Sequence, residues 1–357
     1  MSIWSKLRGH GDQREMFRRA VQRRRLSQSY LFVGPDGIGK QLFARLLAHC
    51  LLCRAEDGDR LEACGECSSC RPFMAGNHPD FLYIQRLEGK RELQIELIAG
   101  PKERRGQEGL CHDLSLRPLE GSRKIAIIND ADTMNDESAN AFLKTLEEPP
   151  ERAMLILIAS NLDAVMPTIR SRCQLVRFAP LSRADVEALL VEQGMVATEQ
   201  EAQFAGALCE GSLTTARQLL RPELRDLRSS LYGNLSRDNF SGMTLAKSLL
   251  EAIDAISADT PEQRVHANWL LKFTVEFYRA ALRSQAQQAD AGVIPEAQTW
   301  LSALSKRMEP TELVGSMIDR AIDASTHIEQ NVPVPLTLEA LFSDLARMSR
   351  PADTRRA

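Results

Sequence analysis

Short apolar runs at Tyr30–Val33, Phe81–Ile84, Lys124–Ile128, Met154–Ile158 and Gln174–Phe178 punctuate the first half of the chain. Each has the length and the branched or aromatic content of a strand. Between them, apolar residues recur at 3–4 spacing over Gln41–Leu52, Ile95–Leu110, Asp136–Glu148 and Leu162–Arg170, which predicts helices. Strands apolar on both faces, separated by helices, predict a parallel sheet covered on two sides. Pro180 and Leu181 mark a boundary, and no strand pattern follows. Arg183–Gly194, Glu199–Cys209 and Leu213–Leu220 read as a short three-helix stretch. From Pro222 the helices lengthen, through Met243–Ile256, Pro261–Gln287, Glu296–Arg307, Glu312–Gln330 and Thr337–Met348. The predicted class is α/β plus all-α: a parallel-sheet domain over 1–180, a small helical lid over 181–221 and a helical bundle over 222–357. Arg350–Ala357 reads as a disordered basic tail.

Composition narrows the classes. With 357 residues, 43% of them hydrophobic and 26% charged, the chain reads as a soluble protein of two or three domains. A formal net charge of −3 excludes a wholesale basic coat, so any DNA contact is local or shared with partners. Runs such as Ile125–Ile128 and Met154–Ala159 are far too short to span a membrane. Met1–Arg8 is charged and lacks an apolar signal region, so a cytoplasmic location is expected. Arg14–Leu26 carries six arginines opposite Met16, Phe17, Ala20 and Val21 and reads as an amphipathic helix with a solvated face; DNA or neighbour contact is the alternative. Val265, Trp269, Phe273, Phe277 and Tyr278 share a helical spacing without interleaved Lys or Arg, which suits core or subunit interface better than base stacking.

Gly34-Pro35-Asp36-Gly37-Ile38-Gly39-Lys40 follows a strand and opens a helix. That is the setting of a phosphate loop, where backbone N–H groups and the helix N-terminus face an anion. A plain glycine-rich turn with a chance lysine is the bland alternative. The next residue is Gln41, where Ser or Thr would offer a compact hydroxyl to Mg²⁺. At the end of the strand Lys124–Ile128, Asn129 stands where a metal-binding Asp is expected and Asp130 where a water-activating Glu is expected. Asp130 and Asp132 also suit ordinary helix entry. Loop and lysine survive without the magnesium ligands, so ATP binding stays open while hydrolysis is not expected.

Cys53, Cys64, Cys67 and Cys70 read C-x10-C-x2-C-x2-C, which can close a tetrahedron around a structural Zn²⁺ with no open position. Four cysteines also suit an iron–sulfur cluster. His78, beside Pro79, reads as a turn residue, and Cys50, Cys111, Cys173 and Cys209 as small buried or half-buried groups.

The string Asn140-Ala141-Phe142-Leu143-Lys144-Thr145-Leu146-Glu147-Glu148-Pro149-Pro150, followed after a strand by Ser171-Arg172-Cys173, closely resembles the clamp-loader branch of the AAA+ ATPases. The resemblance covers Leu7 to about Leu220, and Ile328–Val332 with Leu336–Leu345 resembles that branch's collar more loosely. It implies an AAA+ P-loop domain with a zinc module at 53–70, a lid and a collar. It further implies that Arg172 is an arginine finger reaching the ATP site of a neighbouring subunit, with Arg170 its rival. A guanidinium there suits a developing γ-phosphate charge, and such fingers are worth about 10³–10⁵ in rate. Implied partners are the tau/gamma and delta subunits of the DNA polymerase III clamp loader, with sliding clamp and primed DNA reached through the ring. Motor subunits of the family carry a glycine-serine-leucine-arginine string in the lid, where this chain has Gly211-Ser212-Leu213-Thr214. With Gln41 and Asn129, Thr214 points to a member that hydrolyses little or no ATP; a motor subunit is the alternative. A free-standing zinc-bearing nucleic-acid enzyme is the rival from another class, and no paired carboxylates support it.

Overall fold

The computed structural model describes residues 2–55, 61–120, 122–237, 239–285, 294–305 and 310–349. The predicted tail at 350–357, and the ends of the helices predicted to reach Gln287 and Arg307, lie outside the described residues. The chain divides into two compact units, residues 1–186 with 210–214, and residues 187–209 with 215–357.

The first unit is built on a five-stranded parallel sheet of β1 (Ser29–Val33), β2 (Phe81–Ile84), β3 (Lys124–Ile128), β4 (Ala153–Ala159) and β5 (Gln174–Arg177), in the order β2-β3-β4-β1-β5. Alternation within the strands divides the core into two layers. Tyr30, Phe32, Ile125, Ile127, Met154, Ile156 and Ile158 face one side, where α1 (Gly11–Gln22) and α2 (Lys40–Leu52) contribute Phe17, Phe43 and Leu47. Leu31, Val33, Ala126, Ile128, Leu155 and Leu157 face the other, against Phe142 and Leu146 of α6 (Asp136–Glu147). The central strands β1, β3 and β4 are buried on both faces, as the continuous apolar runs predicted, whereas β2 is half-buried and β5 is mostly exposed at the edges. The order places a reversal beside β1, so the carboxyl ends of β1, β3 and β4 frame a crevice.

Three helix predictions need correction. The helix expected at Ile95–Leu110 is broken into α4 (Ile95–Ala99), a 3-10 turn at Lys102–Arg104 and α5 (Leu110–Ser115). Gly100, Pro101 and Gly109 break it: both glycines have positive φ, and a β-carbon on Gly109 would lie 2.4 Å from Gly100 N. The helix expected from Leu162 is only α7 (Pro167–Arg170), because Pro167 presets a first helical turn and holds Met166 extended. The arginine-rich helix starts at Gly11 and ends at Gln22, closed by Arg24 N–H to Val21 O and Arg25 N–H to Ala20 O with Arg24 at φ 51°. Its basic face is largely paired within the chain: Arg18 and Arg19 bind Glu15, and Arg14 binds Glu62. A short helix α3 (Cys70–Met74) had no periodic signal.

The second unit is helical. Its elements are α9 (Glu199–Leu208), α11 (Pro222–Leu235), α12 (Gly242–Ile256), α13 (Thr260–Gln285), α14 (Pro295–Ser305), α15 (Pro310–Glu329) and α16 (Val334–Met348), while α8 (Arg183–Glu192) and α10 (Leu213–Leu219) are divided between the units. Trp269, Phe273, Phe277 and Tyr278 are buried on α13, whereas Val265 is exposed and does not belong to that core stripe. Gly242 allows α12 to begin against the backbone of α16, since a β-carbon there would stand 2.2 Å from Phe342 O.

Candidate functional site

Gly34 to Lys40 lies in the crevice, running from the end of β1 into α2. The loop is closely enclosed. A β-carbon on Gly34 would meet Phe178 O at 2.3 Å, and one on Gly37, whose φ is +74°, would meet Ser212 Oγ at 2.4 Å and Thr214 Cβ at 2.7 Å. Leu213 N–H donates to Gly37 O at 2.9 Å, and His10 Nε2–H donates to Ile38 O at 2.7 Å while its ring edge meets Phe178. Thr214 therefore packs on the loop.

Lys40 is buried and turned onto its own loop: Nζ donates to Gly34 O at 2.5 Å and Pro35 O at 2.6 Å, with Asp36 3.7 Å away. Burial lowers its pKa, against the pull of Asp36, Asp132 and Asp130. Gln41 Nε2 donates to Tyr83 Oη at 2.6 Å, and Tyr83 Oη donates on to Gln85 at 2.6 Å, so this side chain is held across to β2. Asn129 follows β3, its N–H bonded to Ile84 O. Asp130 sits at φ 56° and accepts from Arg86 N–H at 3.3 Å. Asp132 holds the end of β4, accepting from Ser160 N–H at 2.9 Å, Ser160 Oγ at 2.5 Å and Asn161 N–H at 2.9 Å. Gly34, Gly37, Gly39, Lys40, Asn129 and Asp130 thus gather around one crevice, with Gln41 at its rim. His10, Tyr83 and the clamp formed by Asp132 had no periodic or motif signal.

Arg172 lies elsewhere. It precedes β5, whose first residue Gln174 is level with Tyr30 of β1, four residues before the phosphate loop. At about 3.3 Å per strand residue that places it roughly 13 Å or more from Gly34 along the sheet. Its guanidinium donates to Thr168 O at 2.9 Å, Ser171 Oγ at 3.2 Å and Glu147 Oε1 at 2.5 Å. Arg170 faces Asp163 at 3.7 Å.

The four cysteines converge, with all Sγ atoms within 4.8 Å of one another. Cys53–Cys64 and Cys64–Cys70 Sγ separations are 3.6 and 3.9 Å. Four sulfurs about 2.3 Å from one tetrahedral ion would stand about 3.8 Å apart, so this donor set fits such an ion. Burial opposes ionisation of Cys67, yet N–H groups of Arg54, Cys70 and Ser69 outweigh it and bring its pKa down to about 6. Backbone N–H groups of Glu66 and Cys67 also lower that of Cys64, whereas burial raises that of Cys70. His78 is no simple turn residue. It is buried; its Nδ1 accepts from Asp80 N–H at 3.0 Å, so Nε2 carries the proton and donates to Ser69 Oγ at 2.8 Å, which donates to Leu52 O at 2.5 Å. This chain, with Phe73 stacked on His49, fastens the cluster to the sheet domain.

Residues 9–182 match the family model described as DNA polymerase III, delta subunit. The chain is 32% identical over 203 residues to a DNA polymerase III subunit delta' of Yersinia pestis, covering 56% of each chain. It is 36% identical over 174 residues to the corresponding protein of Bacillus subtilis, covering 49% of each. It is 28% identical over 240 residues to the DNA polymerase III subunit tau of Escherichia coli, covering 64% of this chain and 35% of that one. The matched region thus spans about half the length of the delta' relatives. No described helix is long and apolar enough to cross a membrane. By that match and these relatives, residues 9–182 match the DNA polymerase III delta-prime family of clamp-loader proteins.

Proposed function

We propose that this chain works in the cytoplasm as a non-hydrolysing subunit of a clamp-loading ring, which places a sliding clamp on primed DNA, and that Arg172 completes the ATP site of a neighbouring subunit. The observation that carries this reading is the separation of Arg172 from the chain's own phosphate loop, at opposite ends of paired parallel strands β1 and β5. A guanidinium so placed has no route to its own Lys40. Set against a neighbour's γ-phosphate, it would offset the charge that develops there. The crevice supports the other half: Gln41 is engaged by Tyr83, Asn129 is uncharged, and Lys40 is satisfied by its own loop. Gln41 and Asn129 stand where compact oxygen ligands for Mg²⁺ are expected.

In this reading the partners are tau/gamma and delta subunits, residues 181–221 are the lid and residues 222–357 the collar. Cys53, Cys64, Cys67 and Cys70 hold Zn²⁺, whose bound form cross-links the segment between α2 and α3. Ser69 and His78 orient that segment from behind. The test is ATP turnover by the isolated chain, expected at background. Turnover of order one per second that vanishes in Lys40→Ala would contradict the reading.

A further inference from the structure

At the opposite end of the sheet from the phosphate loop, the amino-terminal ends of β1, β3 and β4 border a cavity of about 550 Å³. Its size is that of a small-molecule site. Val21, Leu26, Leu51, Leu61 and Met154 give it an apolar floor. Three arginines from three separate segments line it: Arg24 after α1, Arg123 before β3 and Arg152 before β4. None of the three forms an ion pair among the described residues, in contrast to Arg14, Arg18 and Arg19 of the neighbouring helix. The one carboxylate in the lining is Glu151, whose side chain is exposed.

Two further features mark this group. Arg123 is half-buried, whereas Arg24 and Arg152 are exposed, and burial lowers the pKa of Arg123, with only Tyr30 acting the other way. Taking a guanidinium out of water without a counter-charge is costly. Arg24 occupies the left-handed position that closes α1, at φ 51°, where glycine would be unstrained. Strain held by a side chain that faces a cavity is a pointer to a ligand.

We infer that this cavity binds a phosphate ester, with Arg24, Arg123 and Arg152 meeting the phosphate and the apolar floor taking the organic part. Guanidinium forks match phosphate oxygens two at a time, and three of them suit a dianion. A free nucleotide and a phosphorylated nucleic-acid end offer the same chemistry. The site is separate from the phosphate loop, and its ligand would not need Lys40.

The experiment uses the full chain with its metal retained. Binding of AMP, inorganic pyrophosphate and a short 5′-phosphorylated oligonucleotide is measured by calorimetric titration, with the hydroxyl-ended oligonucleotide as control. AMP or the phosphorylated oligonucleotide should bind, and the stronger of the two identifies the source. Arg123→Gln and Arg152→Gln should each weaken that binding roughly tenfold or more, as expected when a charged hydrogen bond is lost. Lys40→Ala should leave it unchanged. Without ligand, Arg123→Gln should melt no lower than the parent, because a half-buried unpaired charge has been removed. Absence of phosphate-ester binding at millimolar concentration would overturn the site, as would binding lost in Lys40→Ala but kept in both arginine variants. A lower melting temperature for unliganded Arg123→Gln would show the guanidinium to be a structural strut and overturn it equally.

Discussion

Arg172 donates to Glu147 across 2.5 Å, joining the serine-arginine-cysteine motif to the leucine-glutamate-glutamate motif 25 residues earlier in the chain. The two strings that carry the family resemblance therefore meet in space. Glu147 closes α6, while Arg172 follows α7 on the way into β5. The pair is partly solvated, with 34% and 49% of the two side chains exposed, so solvent screens it. Such pairs contribute about 0–1 kcal/mol.

Glu147→Gln should accordingly change stability by less than about 1 kcal/mol in denaturant titration, since only a screened ion pair is lost. In the assembled ring it should leave subunit exchange intact. A loss of several kcal/mol would show that the carboxylate supports the fold itself.

Lys40→Met tests how the phosphate loop is held. Methionine keeps the packing and removes the donor that satisfies Gly34 O and Pro35 O. Leaving two such carbonyls unmet should cost about 1–3 kcal/mol in urea unfolding. The relief of burying an ammonium offsets part of that. Clamp-loading by the assembly should change little. If Lys40→Met abolished assembly or loading, the lysine would have a role beyond its own loop.

Metal removal should weaken the first unit without unfolding it. The purified chain should carry one zinc ion, and chelation or Cys67→Ser should lower the melting temperature, because metal-binding energy is partly folding energy. The two-layer sheet core does not depend on the thiolates, so far-ultraviolet circular dichroism should persist. Elemental analysis that found iron, or no metal in reduced protein, would contradict the assignment of zinc.

The sheet was legible because its central strands β1, β3 and β4 are buried on both faces, so continuous apolar runs mark them. The half-buried edge strand Phe81–Ile84 and the central strand Lys124–Ile128 match the sequence reading to the residue. The long helices were legible because one apolar stripe suffices to define them. Irregular backbone was not. Gly100 against Gly109 breaks a pattern that still reads as helical, and the two lie too far apart for helical spacing to reveal their contact. The cysteine cluster could be read from spacing alone, whereas its support by Ser69, His78 and Asp80 needed the fold. In the crevice, the motif named Lys40, Gln41 and Asn129, but not what each touches. Tyr83 reaches Gln41 from a different strand, and Thr214 reaches Gly37 from beyond the boundary at Pro180. Neither leaves a periodic mark.

The most direct test of the central claim is the DNA- and clamp-stimulated ATPase of a ring reconstituted with Arg172→Ala. Arg172 touches Thr168, Ser171 and Glu147 at the surface, so the variant should fold and assemble. Its turnover should fall, with the loss concentrated in kcat, by up to the 10³–10⁵ that fingers supply at a single site, roughly, when other sites in the ring do not compensate. Arg172→Lys should rescue poorly, because an ammonium does not reproduce the two-pronged contact, and Arg170→Ala should matter less. Unchanged stimulated turnover in a fully assembled Arg172→Ala ring would contradict the account.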